Sequence, residues 1–339
     1  MRIIIAILVF SFLMLIHELG HFLMAKKLGI RAYELSIGMG PKLFGKKIND
    51  THYNIRLIPF GAYVRFGDED DELFAEPDNF MNQTPLDRIK VIIMGPLVNI
   101  VAALLIMIGV IFGTGFPSNS IDIVSEGLPA YEAGIQQGDK ILQVNGKDTK
   151  SWEALVAELS SAAEKAGASQ TVELLVEKPD GQKVKTNLQM ELVEGIYMIG
   201  ITPQYEKDFF KSIKYGALST VSQSTMMLDV IGQLFTGKAS VDEFSGPVGI
   251  VNIVGEASKQ GLSSVLVLTA LLSLNLGILN LIPIPGLDGS KILFYSYEAV
   301  TKKPVNRDLE MKLNLAGFVL IIGFSIFITY KDIVRIIGG

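Results

Sequence analysis

Three ionisable side chains, His17, Glu18 and His21, interrupt an apolar segment near the start of the chain, in the stretch LIHELGH. In a helix, residues i and i+4 are offset by about 40° and about 6 Å, so the two histidines share a face and can hold one metal ion. The H-E-x-x-H spacing is typical of a zinc site in which the glutamate is the general base. Because such residues are costly within an apolar span, they indicate a functional site; the alternative is a hydrogen-bonded cluster between helices.

A catalytic zinc ion usually takes a third protein ligand and leaves one position for water. The chain has no cysteine and three histidines, so the candidates are His52 and a carboxylate. His52 lies in an alternating stretch that fits a surface strand. Asp288 lies in NLIPIPGLDGS, where two prolines break a helix and Gly286 and Gly289 let the backbone turn. Irregular backbone at membrane depth lines a cavity or is buried in protein, which favours Asp288 as the third ligand.

Composition places these residues in a membrane protein. The chain has 339 residues, of which 49% are hydrophobic, and a net charge of -5 that gives no reason to expect nucleic acid. Its mean hydropathy of +0.39 is high for a soluble protein. Four segments could cross a bilayer: 3–25, 91–121, 260–287 and 313–330. The first could instead be a signal peptide, but no A-x-A-like cleavage site follows it.

Basic residues predict the orientation of these spans. Segment 26–90 carries ten Lys and Arg residues and segment 290–312 carries five, whereas only two follow the last span. By the positive-inside rule the two connections are cytoplasmic, so both termini and the long segment 122–259 are expected to be extracytoplasmic. The two motif histidines and the aspartate then all fall near the cytoplasmic boundary of the membrane.

The motifs together resemble the site-2 protease family of intramembrane zinc metalloproteases. HELGH and NLIPIPGLDG carry the resemblance, and four further stretches extend it over the chain: GMGPKLFGKK (38–47), LIPFGAYVRFGDEDDE (57–72), MGPLVNI (94–100) and FSGPVGI (244–250). The resemblance implies that His17, His21 and Asp288 bind Zn²⁺ and that Glu18 is the catalytic acid/base. It also implies a membrane re-entrant β-hairpin at 57–72. The family commonly has LDGG where this chain has Ser290 after LDG.

The same resemblance implies that Asn275 and Asn280, in the third span, bind an unwound substrate. An asparagine amide offers both a donor and an acceptor to an extended backbone. The alternative for these two residues is hydrogen bonding between helices. An exposed edge of the hairpin at 53–66 is a second place for the substrate, which would pair with it as an added strand.

Residues 124–159 resemble a bacterial PDZ domain. The sequence predicts a strand at 140–144, a tight turn at Asn145-Gly146 and helical spacing from Trp152 to Leu159. A hairpin is predicted at 172–189. PDZ grooves bind C-terminal carboxylates, whereas in membrane proteases of this kind the domain also serves as a size filter; both roles stay open. Residues 206–240 are amphipathic and are predicted to be a helix on the outer membrane surface, either a substrate gate or a connector.

We therefore expect a polytopic α-helical membrane protein of about four transmembrane helices, with a cytoplasmic-side re-entrant β-hairpin and an inserted α+β PDZ domain. The expected parts are helices 1 and 2 with the hairpin (1–121), the PDZ domain (122–203), an extracytoplasmic connector (204–259) and helices 3 and 4 with the ligand loop (260–339).

The expected activity is cleavage of a single-pass membrane protein within its span, such as an anti-sigma factor or a remnant signal peptide, in a bacterial inner (plasma) membrane. The expected partners are this substrate and the bilayer, and the oligomeric state stays open. Two other functions are a non-catalytic PDZ scaffold and a divalent-metal transporter. A scaffold needs no general base such as Glu18, and a transporter more often pairs broken helices in its two halves.

Overall fold

The computed structural model describes residues 1–66, 76–165, 171–193, 196–238 and 245–338. The helices are α1 (Arg2–Lys27), α2 (Pro85–Thr114), α3 (Pro129–Glu132), α4 (Trp152–Lys165), α5 (Phe209–Phe235), α6 (Pro247–Gln260), α7 (Leu262–Leu281), α8 (Asp288–Thr301) and α9 (Arg307–Gly338). The strands are β1 (Ala32–Ile48), β2 (Thr51–Phe66), β3 (Phe116–Val124), β4 (Lys140–Val144), β5 (Lys147–Asp148), β6 (Thr171–Glu177), β7 (Lys183–Gln189), β8 (Glu191–Val193), β9 (Ile196–Met198) and β10 (Ile201–Glu206). The chain divides into two compact units, one of Met1–Val110 with Gly216–Gly339 and one of Ile111–Tyr215.

Four helices in the described part of the chain are long and apolar enough to cross a membrane: α1, α2, α7 and most of α9. They correspond to the four predicted spans, and the protein is an integral membrane protein. Two spans are shorter at their ends than the uncharged sequence suggested. The second ends at Thr114, because Gly115 has a φ of 90° and leads into β3. The third ends at Leu281, because Ile282 is already extended before the first proline.

Strands β1 and β2 form an antiparallel sheet that folds back on itself. Residues 34–37 of β1 pair with 62–65 on one side and with 52–55 on the other, so that Leu35 lies opposite both Val64 and Tyr53. The segment expected as a simple hairpin at 53–66 is therefore part of a sheet of four short segments. The chain bends at glycines with positive φ, which are Gly38, Gly40 and Gly61. The rest of the predicted re-entrant segment, after Phe66, lies outside the described residues.

The two ends of this sheet differ in polarity. Its distal part, residues 37–44 and 55–60, exposes large apolar side chains, namely Ile37, Met39, Leu43, Phe44, Ile55, Leu57, Ile58 and Phe60. At the proximal end the carboxylate of Glu34 accepts hydrogen bonds from Arg56 at 2.6 Å, Asn54 at 2.6 Å and Tyr63 at 2.8 Å. Partial burial alone would raise the pKa of Glu34, but these hydrogen bonds hold that pKa at about 2.

Glycines allow α2 to pack closely against both α1 and α7. A Cβ on Gly20 of α1 would lie 2.8 Å from the Met94 carbonyl carbon and 2.9 Å from the Gly95 Cα. A Cβ on Gly277 of α7 would lie 2.7 Å from the Pro96 carbonyl oxygen. Small residues at such contacts let helix backbones approach within a membrane, where close packing stabilises the association. Helix α2 is therefore the central helix that fixes α1 and α7.

Helices α8 and α9 hold the segment between α7 and α8 in place. The buried Arg88 of α2 donates to Glu298 of α8 at 2.6 Å, and its guanidinium lies 4.5 Å from the Tyr295 ring centroid. On α9, Asn314 Oδ1 accepts a hydrogen bond from the Gly286 N–H at 3.2 Å. Helix α8 is thus bound to α2, and the turn before Asp288 is bound to α9.

Helix α5 has the predicted amphipathic character, and part of its apolar face packs against other helices. Its Met227 and Ile231 pack against Ala103 of α2 and Ala270 of α7. A helix with one wide apolar face buries that face where a partner is available, which explains this packing. Helix α6 lies within the same predicted connector. The buried carboxylate of Asp332 accepts the Gly249 N–H of α6 at 2.7 Å.

The unit Ile111–Tyr215 contains a sheet with the strand order β10-β3-β4-β6-β7, to which β5 adds beside β4. The predicted strand at 140–144 is β4, and Asn145 and Gly146 have the positive φ values, 50° and 78°, of a tight turn. The predicted hairpin is β6–β7, and Trp152 begins α4. One core supports the sheet: Ile121, Ala130, Ile135, Ile141, Val144, Leu155, Val172, Leu174, Val176, Leu188, Met190 and Ile199. This is a β-sheet domain inserted between α2 and α5.

Candidate active site

Three side chains from distant parts of the chain converge beside α2. The Nε2 atoms of His17 and His21 lie 3.2 Å apart. The Oδ2 atom of Asp288 lies 3.0 Å from Nε2 of His17 and 3.4 Å from Nε2 of His21. In the described part of the chain this is the one group of His, Cys, Asp and Glu residues that could hold a metal ion. His52 is exposed on β2 and does not belong to the group.

The backbone of α2 orients His21 and makes room for both rings. Nδ1 of His21 lies 2.9 Å from the carbonyl oxygen of Val91, which can only accept, so Nδ1 carries the proton and Nε2 presents its lone pair. A Cβ on Gly95 would collide with the His21 ring and lie 3.0 Å from Cε1 of His17. The local structure thus explains the Gly-Pro of the MGPLVNI stretch. The glycine leaves space for the two imidazoles, and Pro96 supplies no N–H to the preceding turn of α2.

The donor set and its spacing fit zinc. Two imidazole nitrogens and one carboxylate oxygen are ligands that catalytic zinc sites use. Ligand atoms 2.0–2.1 Å from a tetrahedral zinc lie about 3.3 Å apart. The three separations here run from 3.0 to 3.4 Å. Oδ2 of Asp288 is buried and makes no hydrogen bond of good geometry within the described residues. Lone pairs that converge in this way repel one another unless a cation lies between them.

Glu18 lies beside the metal-binding group, as the residue after His17 on α1. Its Oε2 accepts a hydrogen bond from the backbone N–H of Val64 at 3.0 Å. Val64 belongs to the outer segment of the folded sheet, at 62–66, so the sheet fixes the direction of this carboxylate. Sequence reasoning did not find Val64, because a backbone donor leaves no signal in the residue type.

The LDG segment differs in detail from the predicted loop. Asp288 is the first residue of α8, and Gly286, with a φ of 94°, makes the turn before it. Gly289 is not a turn residue: it lies inside α8, and a Cβ there would collide with the Ile282 carbonyl. The buried hydroxyl of Ser290 donates to the Leu287 carbonyl at 2.7 Å. The serine therefore fits the first turn of α8 through a local hydrogen bond.

Asn275 and Asn280 are half-buried on α7. Within the described residues neither amide makes a side-chain hydrogen bond, to another helix or otherwise. Interhelical hydrogen bonding, the alternative reading of these residues, therefore has no support from the contacts. Both amides remain available to a ligand.

A cavity of about 890 Å³ adjoins the site. Its walls come from β2, α2, α8 and α9, and include Val64, Arg88, Lys291, Tyr295 and Asn314. Val64 is the residue whose N–H binds Glu18, so one residue of the cavity wall contacts the Glu18 carboxylate.

Comparisons with known proteins agree with this geometry. The family model described as peptidase family M50 matches residues 5–324. The relatives of this chain include two proteins whose names contain the words zinc metalloprotease. One, from Clostridium perfringens, is 37% identical over 98% of this chain and 99% of its own length. The other, from Clostridium acetobutylicum, is 35% identical over 98% of this chain and 97% of its own length. Zinc metalloprotease RasP of Shouchella clausii is 31% identical over 97% of this chain and 98% of its own length. The chain therefore belongs to peptidase family M50, the site-2 protease family, and is a zinc metalloendopeptidase of the membrane.

Proposed function

We propose that this protease cleaves a single-pass membrane protein within its transmembrane segment. The observation that carries the proposal is the position of the metal-binding group. His17 and His21 lie inside α1, a helix apolar enough to span a membrane, and Asp288 begins α8 soon after the third such helix. A catalytic group at this depth meets peptide bonds that are themselves in the membrane.

We assign zinc binding to His17, His21 and Asp288, and the general acid/base role to Glu18. A zinc ion held by these ligands supplies Lewis-acid polarisation of the scissile carbonyl and activates water. The Glu18 carboxylate accepts the proton of the attacking water and then delivers a proton to the leaving amine. The Val64 N–H bonds one carboxylate oxygen, which leaves the other free for this proton transfer.

The substrate helix must be unwound before its backbone can be attacked, because its own hydrogen bonds protect each peptide group. The amides of Asn275 and Asn280, which have no hydrogen-bond partner among the described residues, offer a donor and an acceptor to the unwound chain. The segment 62–66 of β2 provides an edge for strand addition on the Glu18 side of the sheet. These contacts support a substrate that lies extended across the site.

The predicted sidedness is part of the proposal. Lys26 and Lys27 end α1, and the lysine-rich connection after α8 flanks the same site, so the positive-inside rule puts the site near the cytoplasmic face. The apolar distal part of the β1–β2 sheet supports insertion into the membrane as a re-entrant element. The termini and the inserted domain are then extracytoplasmic.

For the inserted domain we propose a PDZ fold and a filtering role. The proposed sidedness assigns the domain to the extracytoplasmic side and the active site to the cytoplasmic side, so the domain is not expected to contribute a catalytic group. It can restrict what approaches from outside. A filtering role fits regulated intramembrane proteolysis, in which a first cleavage removes the outer part of a substrate such as an anti-sigma factor, or leaves a signal peptide remnant.

Deletion of the domain tests the filter. Glu206 pairs with Phe116, so the two ends of the sheet are adjacent and residues 116–206 can be replaced by a short glycine-serine linker. We expect the deletion variant to cleave an untrimmed substrate that the intact protein cleaves only after trimming. Continued refusal of the untrimmed substrate by a folded deletion variant, which still cleaves the trimmed one, would exclude the filter and leave carboxylate binding as the role.

Reconstitution with a single-pass substrate tests intramembrane cleavage itself. Purified protein and substrate are combined in vesicles, and the product termini are determined by mass spectrometry, with Glu18→Gln as the matched control. We expect cleavage within the hydrophobic span by the unaltered protein and none by Glu18→Gln, because only the proton acceptor is lost. Product termini confined to the loops outside the span would contradict the proposal.

A further inference from the structure

Asn99 of α2 is a fully buried polar residue next to His17. It is 0% exposed, and its Nδ2 lies 3.4 Å from Nδ1 of His17. Within the described residues its Oδ1 has no hydrogen-bond partner. A buried amide in a membrane span is costly unless its polar atoms are used, so this side chain calls for a role beyond packing.

The chemistry of His17 specifies what Asn99 must provide. When Nε2 of His17 faces the metal position with its lone pair, Nδ1 carries the proton and needs an acceptor. The oxygen and nitrogen of an asparagine amide are assigned from their surroundings, and a rotation of 180° exchanges them. That rotation brings Oδ1 to the Nδ1–H of His17. It costs Oδ1 no hydrogen bond, since it has none among the described residues.

We propose that Asn99 is a positioning residue whose amide oxygen accepts the Nδ1–H of His17 and holds Nε2 towards the metal. The inference rests on the proposed role of His17 as a zinc ligand. It makes the site symmetric: α2 orients both imidazoles, His21 through the Val91 carbonyl and His17 through the Asn99 side chain. The asparagine of MGPLVNI then has a function, as its glycine does.

Helix α7 holds Asn99 in position for this role. Ser273 Oγ donates to the Asn99 carbonyl oxygen at 2.8 Å. Gly277, one turn further along α7, packs so closely that a Cβ there would lie 3.4 Å from the Cβ of Asn99. Both contacts involve the backbone or Cβ of Asn99 and leave the amide directed to His17.

The test is the zinc affinity of the purified full chain, measured by competition with a chelator. Asn99→Leu keeps a similar volume without an acceptor, and Asn99→Asp keeps only acceptors. Loss of a partner behind a ligand histidine typically lowers metal affinity by about 10–100-fold, which we expect for Asn99→Leu. Asn99→Asp should stay close to the unaltered protein. Gly109→Ala, also on α2, is the matched control, because no atom lies within 4 Å of a Cβ there, and it should bind zinc normally.

A double-mutant cycle with His17→Ala completes the test. If Asn99 acts through His17, then Asn99→Leu lowers zinc affinity in the unaltered protein and has no further effect in His17→Ala. An equal loss in both backgrounds, a loss in Asn99→Asp as large as in Asn99→Leu, or normal binding by Asn99→Leu would each overturn the inference. Normal zinc binding by His17→Ala alone would instead overturn the proposed ligand set.

Discussion

Gly95→Ala is expected to weaken zinc binding although it adds only one methyl group. The new Cβ would collide with the His21 ring and lie 3.0 Å from Cε1 of His17. Carbon atoms in ordinary contact are about 3.5–4.0 Å apart, so the rings must move by about 0.5 Å or more. The neighbouring backbone cannot yield, because Gly20 of α1 already packs against Gly95.

The size of the effect follows from the cost of overpacking. Inserting a methyl group into a well-packed site costs typically about 1–3 kcal/mol. If that strain is relieved by displacing the histidines, it appears as weaker metal binding, and about 1.4 kcal/mol is tenfold in affinity. We therefore expect a loss of about 5- to 150-fold in zinc affinity for Gly95→Ala.

The assay is chelator competition on the purified protein, with thermal unfolding of the metal-free form as a second readout. Gly109→Ala on the same helix is the matched control, because no atom lies within 4 Å of a Cβ there. Alanine is the better helix former, so this control should bind zinc normally and be equally or slightly more stable. Zinc binding by Gly95→Ala as tight as that of the control would refute the reasoning.

Three further predictions concern the surroundings of the site. The pKa of Glu34 is about 2 instead of the ordinary 4.5. The contribution of this carboxylate to the free energy of unfolding is therefore complete above about pH 4.5 and is lost as the pH falls towards 2. Acid titration of the free energy of unfolding should show this loss in the unaltered protein and not in Glu34→Gln. Asp332→Leu removes the acceptor for Gly249 at the start of α6 and should cost about 1–2 kcal/mol, measured by thermal unfolding; an unchanged midpoint would contradict it. Asn314→Leu frees the Gly286 N–H before the ligand segment and should lower zinc affinity moderately, by about 0.5–1.5 kcal/mol; chelator competition showing no change would mean that α9 does not position Asp288.

The main features of the site could be predicted because they depend on residue type and spacing. Two histidines four residues apart on an apolar helix and an aspartate after a proline-broken helix were sufficient to predict the group that the structure brings together. The strands of the inserted domain could also be predicted, because the Asn145-Gly146 turn and the alternation of apolar and polar residues in β6 and β7 are local signals.

Other features depend on contacts between distant segments, which one sequence does not reveal. The folded β1–β2 sheet depends on residues 34–37 pairing on both sides, and no local pattern distinguishes that from a simple hairpin. The Val64 N–H that holds Glu18 is a backbone group. Asn99 did leave a signal, a lone amide in an uncharged span, but its neighbour His17 is 82 residues away. Gly289 was predicted to be a turn residue, whereas glycine is required there because a Cβ would collide with the Ile282 carbonyl.

The most direct test of the central claim is the zinc content of purified Asp288→Asn, measured beside His52→Ala and Glu18→Gln. Asp288→Asn replaces a charged ligand with a neutral one of the same shape, so we predict that it loses zinc on dialysis against a weak chelator. His52→Ala and Glu18→Gln should both keep one zinc ion per chain, because neither residue is in the ligand set. Full zinc retention by Asp288→Asn together with zinc loss by His52→Ala would contradict the proposed metal centre.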